Sequence, residues 1–450
     1  MLTISQALGR IKGNLCHHLP EALIRQHCHE LGFTYRERTL TPVVTTYLFL
    51  QQILHGNVAA GPLRHLSGLD FTDSAYCQAR SRLPLAFFHR LRRAVTDRCL
   101  DDAAGDGRWH GHRVWLLDGS SFSMPDIPEL QEEFGQSGGQ APGCGFPTAH
   151  LLVLFDAHTG YLRHALPAPL RTHDLADAAM AHYGLRRGDV LVGDRAFGSY
   201  AHLALCRQRG LHGLFRAHQR LHISFRSRRR HADRRRPSAQ DKGLPRSRWL
   251  RRLGRRDQVV EYTKPQDQPD WMSAADYAAL PETLTVRELR FEVRVPGRRV
   301  QQITLVTTLL DPKRYSVKAL AKLYEWRWQV EVDLGHLKTT LKMDVLRSQT
   351  FVGILKELQV FVIVYNLVRR VMVAAARRQG VAPSRISFAD ALAWLRSARP
   401  GDELPQLKVN PERPGRAEPR VRKRRPKQYD LMTKPRPVLR KALYSKKKAA

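Results

Sequence analysis

The chain has 450 residues, 42% of them hydrophobic and 26% charged, which excludes a wholly disordered protein and leaves room for two or three domains. Its 75 Lys and Arg outnumber 41 Asp and Glu, a formal net charge of +34. That excess favours a polyanionic partner, and its spread along the chain points to nucleic acid rather than a membrane surface.

The start, Met-Leu-Thr-Ile-Ser-Gln, has no basic region followed by an apolar core, so no signal peptide is expected. Six cysteines lack any CxxC spacing and fit reduced cytosolic thiols. The runs Cys16-His17-His18 and His27-Cys28-His29 match no usual zinc spacing. Residues 1–105 read as helical, with heptad-like apolar spacing over 40–54 and 85–95 and arginines scattered from Arg36 to Arg93. Such a segment suits a leading DNA-binding domain; a helical packing module fits these residues equally well.

From His112 the pattern changes. Strands are expected over 114–117, 150–155 and 161–165, then a helix over 174–182, a strand over 189–193, a helix over 200–209 and a strand over 213–216. Antiparallel strands followed by alternating helix and strand fit a ribonuclease H-like α/β sheet. Asp156 sits at a hairpin end, where a turn role is the plain reading.

Between Asp194 and Glu331 lie 136 residues, with alternating apolar positions over 286–295 and 300–306 around a Pro296-Gly297 turn. A helix carrying Glu331 follows, and residues 351–378 give another. Its most apolar stretch, 358–376, is interrupted by Asn366, Arg369 and Arg370 and reads as a buried helix rather than a membrane span. Two segments are intensely basic. Residues 216–256 hold 16 Lys/Arg and 2 Asp, and residues 408–450 hold 16 Lys/Arg and 3 acids. Arginines mixed with Phe225 and Trp249 suit phosphate contacts with base stacking, while solvated charge is the plainer reading of residues 440–450.

The chemistry concentrates in Tyr324-Glu-Trp-Arg327-Trp-Gln-Val-Glu331 and Lys338. On one continuous helix these four residues would fall at roughly 0°, 300°, 340° and 320°, a single stripe. Taken alone, the stripe could be an (i, i+4) Arg–Glu ion pair on a solvated face. Two aspartates weigh against that: Asp118 and Asp194 each follow a short apolar strand, where side chains project from a sheet edge. Three carboxylates could hold two Mg²⁺ ions about 3.5–4 Å apart for phosphodiester chemistry.

These residues resemble bacterial insertion-sequence transposases of the DDE class, in the branch with the Tyr-x2-Arg-x3-Glu-x6-Lys signature (insertion-sequence family four). Further similarity lies in Asp118-Gly-Ser-Ser-Phe-Ser-Met-Pro-Asp126, Pro142-Gly-Cys-Gly-Phe-Pro147, Asp194-Arg-Ala-Phe-Gly-Ser-Tyr200, Thr307-Thr-Leu-Leu-Asp-Pro312 and residues 337–347, and in the basic tail at 422–427. A departure is Gly335, where many relatives carry an Arg. The resemblance implies a ribonuclease H-like core with a mostly β insertion between Asp194 and Glu331. It implies Asp118, Asp194 and Glu331 as catalytic metal ligands for two Mg²⁺, with Mn²⁺ as a substitute, and Tyr324, Arg327, Lys338 and Arg195 as DNA contacts. It further implies a homodimer acting on double-stranded DNA, both terminal inverted repeats and target, through a hairpin intermediate, in the bacterial cytoplasm at the nucleoid. The expected partition is a helical DNA-binding domain (1–105), the first part of the core (106–212), a β insertion (213–312), the helical remainder of the core (313–400) and a basic tail (401–450). A two-metal nuclease without strand transfer needs the same carboxylates, but not the β insertion or the Tyr/Arg/Lys stripe. A non-catalytic DNA-binding relic is expected to have lost a carboxylate, and none is missing.

Overall fold

The computed structural model describes residues 19–221, 223–227, 243–293, 301–398, 402–412 and 432–448. The Cys16-His17-His18 run, the Pro296-Gly297 turn and part of each basic segment (222, 228–242, 413–431 and 449–450) lie outside them. The described chain opens with helices α1 (Glu21–Glu30), α2 (Pro42–Leu54), α3 (Ala60–Ser67), α4 (Asp73–Arg82) and α5 (Leu85–Asp101). Strand β1 (Val114–Ser123) leads through α6 (Pro128–Phe134) to the hairpin β2 (Thr148–Asp156) and β3 (Leu162–Pro169). The single turn α7 (Ala178–Ala181), β4 (Val190–Gly193), α8 (Tyr200–Gln208) and β5 (His212–Arg216) follow. Next come β6 (Arg246–Gly254), β7 (Asp257–Thr263), α9 (Ala274–Ala278), β8 (Thr283–Val293) and β9 (Gln301–Thr307). The remainder is helical: α10 (Val317–Glu325), α11 (Trp328–Gly335), a π-helical turn at His336–Thr340, α12 (Phe351–Gln379), α13 (Phe388–Ser397) and α14 (Arg436–Lys448).

Among the described residues, nine strands join one mixed sheet in the order β3-β2-β1-β4-β5-β9-β8-β7-β6. The strands β1, β4 and β5 run parallel at its centre, and antiparallel pairs flank them. Val114 to Leu117 and Val190 to Gly193 are buried throughout, the near-continuous apolar run expected of parallel strands covered on both faces. The outer strand β6 exposes Arg246, Arg248, Arg251 and Arg252, and such charge guards an open edge against pairing.

Helix α12 is the central prop. Thr350 caps it by accepting the Gly353 N–H at 3.1 Å, and Gly380 ends it at a φ of 65°. By length and hydropathy it could cross a membrane, but it is mostly buried, packing on α5, α2, α13 and β3. Within it Asn366 bonds the Leu162 backbone on both sides and reaches Thr96, joining α12 to β3 and α5. One hydrophobic cluster therefore runs from the leading helices through the sheet to α13.

Three local expectations need correction. Strand β1 does not stop at Leu117; it continues to Ser123 because β2 pairs with it antiparallel over that whole length. The segment from Asp174 forms turns before the short α7, since the Asp174 carboxylate is drawn to His150 at 2.6 Å. The Tyr324–Lys338 stripe does not lie on one helix. The helix breaks at Trp326–Arg327 between α10 and α11, and Lys338 lies on the π turn. Asp156 accepts from His158 N, Thr159 N and Thr159 Oγ1 and pairs with Arg113 at 2.7 Å, so it serves the hairpin turn.

Candidate functional site

The parallel pair β1–β4 sets the site. Leu117 lies opposite Gly193, so Asp118 and Asp194 are the next residues on neighbouring strands, about 4.8 Å apart across a ladder. There β4 ends while β1 runs on, which opens the sheet on one side of Asp118. Asp118 Oδ1 accepts the Gly119 N–H at 2.9 Å, and Asp194 Oδ1 accepts the Ala196 N–H at 2.6 Å. Both aspartates line one cavity of about 360 Å³ with Gly119, Ser120, His150, Asp174 and Arg195.

Helices α10 and α11 close over this opening. The Arg327 guanidinium, 12% exposed, stands 3.8 Å from Asp118 Oδ2 and 3.6 Å from Glu331 Oε1, so one cation spans the two acids. Its buried Nε has no hydrogen-bond partner among the described residues. Glu331 itself is half exposed. Tyr324 is buried, and its hydroxyl feels Arg327, Arg216 and Asp194. Lys338 donates from Nζ to Ser120 Oγ at 3.2 Å, two residues beyond Asp118. Across the break between α10 and α11, Arg327 and Lys338 thus reach the Asp118 strand itself, while Glu331 meets Arg327 and Tyr324 lies near Arg327 and Asp194. Arg195, on the turn after Asp194, donates to Gln219 at 2.7 Å at the cavity's rim.

Electrostatics mark the same place. Burial pushes the Asp118 carboxyl up to about 6; the Gly119 N–H and Arg327 oppose that, and the charges of Asp194 and Glu331 add to it. A cluster of hard oxygen donors whose own charges repel is suited to divalent cations, which would relieve the repulsion. Asp118 and Asp194 offer oxygen donors of that kind at one opening, and Glu331 offers a third on the far side of Arg327. For the metal-free protein the sign is definite. Because its folded value lies above the unfolded one, ionised Asp118 costs stability; the cost is absent below about pH 4 and full above about pH 6. Asp118→Asn is expected to raise thermal stability at pH 7 by on the order of 2–3 kcal/mol in chelator, with no gain near pH 4. Melting curves at the two pH values check it.

Sequence reasoning missed the His150–Asp174 pair. His150 is the polar residue inside an otherwise apolar β2, opposite Ser121, and that irregularity was its signal. A Cβ on Gly119 would stand 3.1 Å from Asp174 Oδ1 and 3.2 Å from His150 Nε2, so glycine lets the pair close against β1. Also unanticipated is Trp328, 51% exposed, whose ring lies 4.5 Å from the Arg327 guanidinium carbon. Trp271 packs, partly buried, against the core. Gly335 has open space where a side chain would project.

A mixed α/β sheet with paired acids at its centre and a basic surround defines a protein built for polynucleotide chemistry. Over residues 109–367, more than half its length, the chain matches the family described as Transposase DDE domain, and it belongs to that family. It is 24% identical over 383 residues to the transposase InsG of insertion sequence element IS4 of Escherichia coli K12, covering 80% of this chain and 78% of that one. It is 28% identical over 203 residues to InsZ of the same strain, covering 43% of this chain and 67% of InsZ. Among solved structures, it aligns with a piggyBac transposase in a synaptic complex with hairpin DNA at 9% identity and a TM-score of 0.43, covering 88% and 80% of the two chains. That last likeness is too distant to bear on the argument.

Proposed function

We infer that this chain is the transposase of an insertion sequence, excising its element and joining it to target DNA by cut and paste. The observation that carries the reading is the meeting of Asp118, Asp194, Arg327 and Glu331 at one opening of the sheet. Family membership and the name of the IS4 relative support it. On this reading β1 to β5 with α10 to α12 form a ribonuclease H-like core, which takes in β5 from the segment 213–312, β6 to β9 form its insertion, and the leading helices and basic tail bind DNA.

Asp118, Asp194 and Glu331 would hold two Mg²⁺, or Mn²⁺ in their place. Such ions would supply activation of the attacking oxygen and stabilisation of the leaving one. Tyr324, Arg327, Lys338 and Arg195 grip phosphates beside the scissile bond; Arg327 can do so bidentately, Lys338 as a point charge. Hydrolysis at the element's end frees a 3′-OH, which attacks the opposite strand to give a hairpin. The hairpin is reopened, and the same 3′-OH joins target DNA. Synapsis of two ends calls for a homodimer, at work on the nucleoid in the cytoplasm. Mixing a subunit lacking Glu331 with one unable to bind DNA is expected to restore cleavage; a strictly cis pattern would argue against shared sites.

Lys338→Ala is expected to slow hairpin formation more than the first nick. The nick needs a water, whereas the hairpin must hold a bent strand end against phosphate repulsion. One lost charged contact is worth about 1–3 kcal/mol, or roughly ten- to a hundredfold. Time courses resolving nicked from hairpin product check this, and equal slowing of both steps would remove the positional role. Strand transfer separates the proposal from its nearest rival. Pre-cut element ends with a supercoiled plasmid and Mg²⁺ are expected to give covalently joined product, which a nuclease would not form.

A further inference from the structure

Behind the loop that carries Asp194 lies a cluster that the DNA chemistry does not use. His202 and Cys206 stand one helical turn apart on α8, and His182 ends α7 beside them. The three side chains offer one ring nitrogen each from the histidines and the cysteine Sγ within 4.8 Å of one another, and all three residues are buried. The two Nε2 atoms are 3.0 Å apart, and Cys206 Sγ is 3.9 Å from His182 Nε2. A cation bound at about 2.0–2.1 Å to nitrogen and 2.3 Å to sulfur needs N···N and S···N separations of roughly 3.3–3.8 Å. Opening the two rings by about half an ångström reaches that geometry.

The tautomers suit a metal. His202 Nδ1 lies 2.8 Å from the Phe197 carbonyl, which can only accept, so the ring proton sits on Nδ1 and Nε2 presents its lone pair to the cluster. This is the arrangement by which a backbone carbonyl orients a ligating histidine. Burial also pushes both imidazoles well below their ordinary range, keeping them neutral. His182 Nδ1 has no partner in the described structure, with or without a cation, and does not discriminate.

We propose that His182, His202 and Cys206 form a buried three-ligand site for one thiophilic cation, and that it takes Cu(I) in preference to Zn(II). The preference is electrostatic. One thiolate and two neutral imidazoles balance a single positive charge, whereas a divalent ion would leave a net charge buried with Arg209 already nearby. Binding exchanges the Cys206 thiol proton, released to solvent, for the metal; no electron moves. Because His202 also holds the Phe197 carbonyl, the bound ion would brace the turn that follows Asp194.

The test uses the full chain, reduced and anaerobic, titrated separately with Cu(I) against a chromophoric Cu(I) chelator and with Zn(II). Wild type is expected to take one equivalent of Cu(I) more than Cys206→Ala. It should also gain roughly 3 °C in Tm at a hundredfold excess over the dissociation constant. Comparison with Cys206→Ala cancels binding by the exposed Cys77. His182→Phe, which keeps a ring against His202, is expected to lose the same equivalent while retaining its far-ultraviolet spectrum and metal-free Tm. Uptake of Zn(II) but not Cu(I) would overturn the charge argument. Identical uptake by wild type and both variants would overturn the site and leave a hydrogen-bonded histidine pair.

Discussion

Asp118→Asn, Asp194→Asn and Glu331→Gln are each expected to reduce DNA cleavage on the order of a thousandfold or more while leaving DNA affinity nearly unchanged. On the proposed reading the loss follows from removing an acid that would hold a divalent cation at the reacting phosphate, worth several kcal/mol of transition-state charge stabilisation. Affinity survives because the net charge of +34 comes from Lys and Arg, and phosphate contacts dominate binding. Gel-shift and cleavage assays on the same preparations check both halves. For Asp118→Asn the loss of activity should accompany the gain in metal-free stability at pH 7, because one desolvated carboxylate causes both effects. A variant that lost binding and cleavage together would instead indicate a damaged fold.

Arg369→Leu is expected to destabilise the protein by about 3–5 kcal/mol, the usual cost of stranding a buried charge. Arg369 on α12 and Asp333 on α11 are both fully buried, 3.2 Å apart, and Arg369 also donates to the Thr159 carbonyl of the β2–β3 turn. Gly160, at a φ of +70°, is the close approach that admits the guanidinium; a Cβ there would overlap it at 1.9 Å. Two residues apart on a helix, Asp333 and Glu331 point to nearly opposite faces, so anchoring Asp333 in the core fixes Glu331 toward the aspartates. Urea unfolding at neutral pH measures the loss. The double variant Arg369→Leu/Asp333→Leu should recover most of it, since no charge is then left unpaired.

Much of this was legible in the sequence, for identifiable reasons. Val114-Trp-Leu-Leu and Val190-Leu-Val are apolar runs whose ends announce Asp118 and Asp194, and the parallel register makes those ends adjacent. The Tyr324–Lys338 spacing pointed to Arg327 and Lys338, which meet Asp118 and Ser120, although not to the backbone path that brings them there. Periodicity assumes one straight helix, whereas the chain breaks at Trp326–Arg327 and widens into a π turn at His336–Thr340. Those departures are set by tertiary packing, which a local period does not record. The His150–Asp174 pair and the His182–His202–Cys206 cluster were hidden for a related reason. Each depends on a contact between residues 20 or more positions apart, and their polar members read singly as irregularities in apolar elements.

The central claim is that Asp118, Asp194 and Glu331, with the Tyr324–Lys338 stripe, form one site that cuts DNA at the element's ends. The most direct measurement incubates the purified chain and its Asp194→Asn variant with a labelled duplex from its own element's terminus and Mg²⁺, resolving products on a denaturing gel. The account predicts a nick at the element boundary followed by a hairpin, both absent from the variant and from chelated samples. Nicks scattered along the duplex, or equal products from wild type and Asp194→Asn, would contradict it.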